Sequence, residues 1–252
     1  MLLRLPTSVP EARQCLAEGA VPIGGATLVW ATWQRDGFPE LAMSLRDVPE
    51  ANVIGRETLG GAVVLHRIDA RLPDVVRLAA ATVGTGAVRR TATVGGNLVG
   101  STLRCLLPPA LVLDARATVL EADGVHEADL AEVVAKRPVL LSLAWRAPIA
   151  SAYRKLPGAA GGEPPLVVAS ALHAALHAAL PAGGGTRHRL RVAVRDGYDV
   201  LSGTAPGTTD PEQSLEALRD TALGELPPAV WEEIRPQVTG LLAVRDADRA
   251  DG

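Results

Sequence analysis

Residues 83–115 read VGTGAVRRTATVGGNLVGSTLRCLLPPALVLDA, and the fold turns on how the pair Gly95-Gly96 is read. The pair sits between a short apolar run and Asn97, and a second pair, Gly24-Gly25, follows a similar run in VPIGGATLVW (21–30). A glycine pair lets successive backbone N–H groups point into one concavity, because no Cβ blocks a ligand and positive φ is free. A helix that starts directly after such a loop adds its own positive end. Two such turns, with Thr27 and Thr93 beside them, suit a ligand that carries two phosphates, such as a dinucleotide. A Rossmann site does not match: GTGAVR (84–89) lacks the third glycine and follows a helical pattern rather than a strand.

The chain of 252 residues is long enough for one large domain or two modest ones. Its core must be aliphatic, since 48% of residues are hydrophobic but only 3% are aromatic. Lys and Arg number 25 against 28 Asp and Glu, with no basic stripe, which argues against nucleic acid or an anionic membrane as partner. Cys15 and Cys105 imply no disulfide framework, zinc site or iron–sulfur cluster. The N-terminus has no signal-peptide core, and LVVASALHAALHAAL is too short for a membrane span. These features predict a reduced, cytoplasmic protein.

Along the chain, Ser8 and Glu11 form a capping box for a helix that Gly19 ends. VPI (21–23) reads as a strand, Gly24-Gly25 as a tight loop, and TLVWATWQRDG as a helix. Further strands are expected at ELAMSL, NVIG, 59–64 and 138–145, and helices at 73–83 and 107–115. ATVLEADGVHEADL reads as a hairpin turning at Asp123-Gly124. The Pro- and Gly-rich segment 147–165 marks a boundary, a helix-rich tail begins near DPEQSLEALRDTAL, and RDADRADG (245–252) reads as disordered.

Over roughly residues 5–180 the chain resembles the flavoprotein subunits and domains of the molybdenum hydroxylases, the carbon monoxide dehydrogenase and xanthine dehydrogenase type. PIGGATLVW is similar to that family's first glycine loop, and SAYRKL to its SAYxK segment. The 83–115 block is similar to its longest motif, RNxGTIGGN followed by DLPPALLALDA. The resemblance implies an α+β chain with a PCMH/vanillyl-alcohol-oxidase-like FAD-binding fold. Two α/β subdomains, 1–55 and 56–147, would hold FAD, and a C-terminal domain, 148–252, would be a small antiparallel sheet with helices. It implies that Ile23, Gly24, Gly25, Ala26 and Thr27 wrap the FAD pyrophosphate from one side. Thr93, Val94, Gly95, Gly96 and Asn97 would do so from the other. Leu140 would pack near the flavin, with Lys155 as a basic residue close by.

The function implied is transfer of electrons between a molybdenum and iron–sulfur partner and an external acceptor. The partners would be a molybdopterin-binding large subunit and a [2Fe-2S] small subunit, and a homodimer stays open. One departure bears on this: Leu106 stands where the family carries a cofactor-binding aspartate nine residues after the asparagine, and Asp114 lies further downstream. The alternative is a standalone flavin-fold enzyme of small-molecule metabolism, a flavin-dependent oxidase or cyclase, or a non-redox enzyme that has lost FAD. A scaffolding subunit with an empty site is a third option.

His173 and His177 are spaced for one face of a helix, as metal ligands would be, but no third ligand accompanies them, the family resemblance makes the stretch a strand, and no metal is expected. RHRLRVAVR (187–195) reads as a solvated strand face, Cys105 as buried, and Trp30 with Trp33 as helix packing. No spacing suggests a Ser-His-Asp set or paired catalytic carboxylates.

Overall fold

The computed structural model describes residues 1–158, 162–174 and 188–250, with side chains to 244. The chain divides into two compact units. The first holds residues 1–72, 79–107 and 115–146, and the second 73–78, 108–114 and 147–252.

The first unit opens with a parallel sheet of order β1-β3-β2, formed by β1 (Leu2–Arg4), β2 (Val21–Pro22) and β3 (Leu41–Met43). Helix α1 (Val9–Ala17) connects the first two strands. Ser8 caps it by accepting from the Glu11 N–H, while the Glu11 carboxylate reaches one residue past the expected partner to the Thr7 N–H (2.8 Å). Gly19, at φ 84°, ends the turn. Helix α2 (Val29–Asp36) follows β2 and buries none of its residues. Trp30 and Trp33 pack edge-on against Phe38 rather than into the core.

A five-stranded antiparallel sheet completes the unit in the order β4-β5-β8-β6-β7. Its strands are β4 (Ile54–Gly55), β5 (Thr58–Gly60), β6 (Arg116–Leu120), β7 (Val125–Ala128) and β8 (Val139–Ala144). Leu120 and Leu141 of this sheet share one core with Ala12, Cys15, Met43 and Val48. The β6–β7 hairpin turns one residue earlier than its sequence predicts: Glu121 and Gly124 exchange backbone hydrogen bonds at 2.8 and 3.2 Å, which leaves Ala122-Asp123 as the turn.

The stretch around 83–100 is helical where the sequence predicts turns. Helices α3 (Asp74–Ala81) and α4 (Gly86–Arg89) precede a π-helical turn at Gly96–Gly100, closed by the Ser101 N–H donating to the Gly96 carbonyl at 3.1 Å. Helix α5 (Leu107–Val112) falls within the helix expected at 107–115, while α6 (Leu130–Lys136), capped by Asp129 accepting from the Glu132 N–H, has no counterpart among the expected elements.

The second unit is built on an antiparallel sheet, β12-β11-β10-β9. It comprises β9 (Ala150–Lys155), β10 (Val167–Ala174), β11 (His188–Asp196) and β12 (Asp199–Gly207). Alternate residues Val168 and Leu172 meet Leu190, Val192 and Val194 and the apolar faces of α7 (Pro211–Arg219) and α8 (Pro228–Ala250). Gln237 ties α8 to β10 through the Ser170 hydroxyl (2.6 Å). The opposite face receives residues 73–78 and 108–114, where Val75 N–H donates to Ser151 Oγ and His173 bonds the Val112 carbonyl.

Two further expectations change here. Helix α8 continues to Ala250 where disorder is predicted from Arg245. The arginines of β11 are not a solvated face: Arg195 is buried and donates to the Pro165 carbonyl, while Arg189 and Arg191 both pair with Asp114 at 2.7 Å. His173 lies on β10, the strand that the family resemblance implies there, and His177 lies outside the described residues. Among the described residues, no helix is long and apolar enough to cross a membrane.

Candidate cofactor site

A cavity of about 380 Å³ opens in the first unit at the carboxyl ends of β2 and β3. Ten of the twelve expected site residues line it: Ile23 through Thr27, Thr93, Gly95, Gly96, Asn97 and Leu140. Val94 is fully buried behind them, and Lys155 belongs to β9 of the second unit, outside the lining.

The first loop leaves β2 under the control of one hydrogen bond, from the Ile23 N–H to the Met43 carbonyl at 2.8 Å. Beyond it, the backbone N–H groups of Gly24, Gly25, Ala26 and Thr27 find no acceptor among the described residues. They line the cavity directly before α2, so four consecutive donors and a helix start share one concavity.

The second loop behaves differently. Its N–H groups are committed to the protein: Val94 to the Val63 carbonyl, Gly95 to Gly61, Gly96 to the Thr93 hydroxyl and Asn97 to the Thr93 carbonyl, all at 2.8–3.1 Å. This loop is the wall against which the first is pressed.

The glycines serve that pressing. A Cβ on Gly25 would lie 1.7 Å from the Thr91 carbonyl oxygen, and one on Gly24 would lie 2.4 Å from the Thr93 hydroxyl. Neither pair uses the positive φ expected of it; in this stretch the left-handed residue is Ala26, at φ 57°. A third pair, Gly60-Gly61, is missing from the sequence-based set. Gly61 lines the cavity, donates to the Leu141 carbonyl (2.7 Å) and accepts from Gly95 (2.8 Å). A Cβ there would sit 2.1 Å from the Leu140 carbonyl. The repeated Gly-Gly spelling was the available signal.

Asn97 and Leu106 account for each other. The Asn97 side-chain oxygen accepts from the Leu106 N–H at 2.9 Å, which pins the loop after the π turn, and the Leu106 side chain is buried outside the lining. Asp114 cannot replace the missing carboxylate, since it is engaged by Arg189 and Arg191 within the second unit. Among the described residues, the only charged one in the lining is Arg46. No His, Cys, Lys, Asp, Glu or Tyr among the described residues lines the cavity, so those walls offer no group of ordinary acid–base range.

Outside the cavity, burial holds the His173 ring below its ordinary pKa; Arg189 and Arg191 push the same way, and the Val112 carbonyl partly opposes them. The exposed trio Glu121, Asp123 and His126 gathers at the β6–β7 hairpin, with His126 bonded to Asp123 at 3.0 Å.

The lining fits a dinucleotide diphosphate: backbone donors, no carboxylate and largely apolar walls. A family model for the FAD-binding domain in molybdopterin dehydrogenase matches residues 3–141. Solved structures share the fold. Carbon monoxide dehydrogenase from Oligotropha carboxidovorans matches with a TM-score of 0.65 and 20% identity, over 96% of this chain and 94% of that one. Quinoline 2-oxidoreductase from Pseudomonas putida 86 matches with a TM-score of 0.64 and 18% identity, over 95% and 93%. Carbon monoxide dehydrogenase from Hydrogenophaga pseudoflava gives 0.61 and 18%, over 96% and 93%. No curated protein matches the chain.

Proposed function

The chain belongs to the FAD-binding domains of molybdopterin dehydrogenases, and from that premise we propose that it is an electron-transfer subunit of a molybdenum hydroxylase-type enzyme. The observation that carries this reading is the row of donors at Gly24–Thr27, without acceptors among the described residues, in a cavity where the only charge among those residues is Arg46. In this reading, those four N–H groups hold the FAD diphosphate. The wall of Thr93, Gly95 and Gly96 fixes the loop that presents them, and Leu140 bounds the ring pocket. Bound flavin would supply the redox chemistry, accepting electrons and passing them on.

The chain's own part is to bind, orient and exclude water. Among the described residues, its cavity is lined by backbone donors and apolar side chains rather than by acid–base groups, a lining suited to holding a flavin that relays electrons. Electrons would come from a molybdopterin-binding large subunit through a [2Fe-2S] small subunit and leave to an external acceptor. Co-expression with the products of the flanking genes tests this. The reading expects a complex that contains this chain and reduces its flavin when substrate is added. A chain that elutes alone and whose flavin stays oxidised would overturn it.

A further inference from the structure

We propose that Arg46 is a specificity-determining anion contact of the cavity, one that selects ligands carrying a diphosphate. The inference rests on the cofactor reading above. Three observations meet at this residue. Among the described residues, Arg46 is the single charged one of the lining, at the carboxyl end of β3 beside the donor loop that follows β2. Its backbone is held in place, because the Asn52 side-chain amide donates to the carbonyls of Leu45, Arg46 and Val48 at 2.8–3.1 Å. Its side chain is free to move: it is 66% exposed, and its one ion pair, with the adjacent Asp47, spans 3.7 Å.

Four backbone donors satisfy oxygen atoms but carry no net charge, whereas a diphosphate brings about two negative charges into a chain already at −3. A guanidinium at the rim offsets that charge and can bond two phosphate oxygens at once. A weakly paired, anchored arginine is suited to this, because little existing interaction must be given up when the anion arrives.

The test compares wild type with Arg46→Gln and Arg46→Lys by titration with FAD, riboflavin and inorganic pyrophosphate. Arg46→Gln should weaken FAD and pyrophosphate binding by about tenfold or more, as for loss of one charge-assisted contact. Riboflavin, which lacks phosphate, should bind both forms equally, and Arg46→Lys should recover part of the loss. The side chain is mostly in water, so thermal stability should not change. Equal FAD affinity in wild type and Arg46→Gln would overturn the proposal, and so would an equal loss for riboflavin. Failure of wild type to bind FAD at all would overturn the cofactor reading itself.

Discussion

Gly24 and Gly25 are neighbours, yet an added methyl meets different atoms at each. At Gly25 it meets the Thr91 carbonyl, which is backbone and cannot turn aside. Gly25→Ala should therefore separate the two loops, lowering stability by about 1–3 kcal/mol and weakening FAD binding with it. At Gly24 the obstacle is the Thr93 hydroxyl, which can rotate at the cost of its bond to the Gly96 N–H. Gly24→Ala should be the milder change, and denaturation midpoints of the two variants decide the order. Ala26→Gly should be nearly neutral, because relief of left-handed strain is offset by extra freedom in the unfolded chain. The place of Gly95, Gly96 and Asn97 beside a cavity was legible through the long motif that the 83–115 block resembles, whereas the commitment of the Val94–Asn97 N–H groups to Gly61, Val63 and Thr93 was not, because it depends on the fold. Gly61 and Arg46 were not legible. Gly61 matters through contact with Leu140, distant in sequence, and Arg46 is one arginine among many until the cavity shows it alone.

At the scale of elements, β10 and β11 clamp the 108–114 segment through His173, Arg189 and Arg191. His173 has its pKa depressed by burial, so the unfolded chain binds the proton more readily. Its stabilising share is present above the ordinary histidine value and is lost as pH falls from about 6.5 through the folded value. The melting temperature should drop as pH falls below about 6.5, and His173→Gln, which can still donate to Val112, should flatten that part of the drop. Asp114 sits at φ 55°, which asparagine tolerates, so Asp114→Asn removes charge without backbone strain. It should cost about 1–3 kcal/mol, since Arg191 is partly buried and loses its counter-charge. Helices α1, α2, α3 and α7 were readable from caps and apolar spacing. Strand β12 was not, because Gly203, Pro206 and Gly207 spell a loop; as an edge strand, it tolerates them.

At the scale of the molecule, a ligand that binds only the folded first unit raises its stability by mass action. FAD at one hundred times its dissociation constant should add about 2.7 kcal/mol. Hydrogen exchange would localise the effect: the amides of Gly24 to Thr27, which lack protein acceptors, should exchange quickly alone and slowly with FAD. The most direct test of the account is the visible spectrum of the purified chain after incubation with FAD and removal of excess, with the released cofactor identified by chromatography. One FAD per chain is the predicted result, with Leu106 a tolerated change beside an intact donor loop. A chain that stays colourless would contradict the account, because the cavity's free donors would then have no diphosphate to meet.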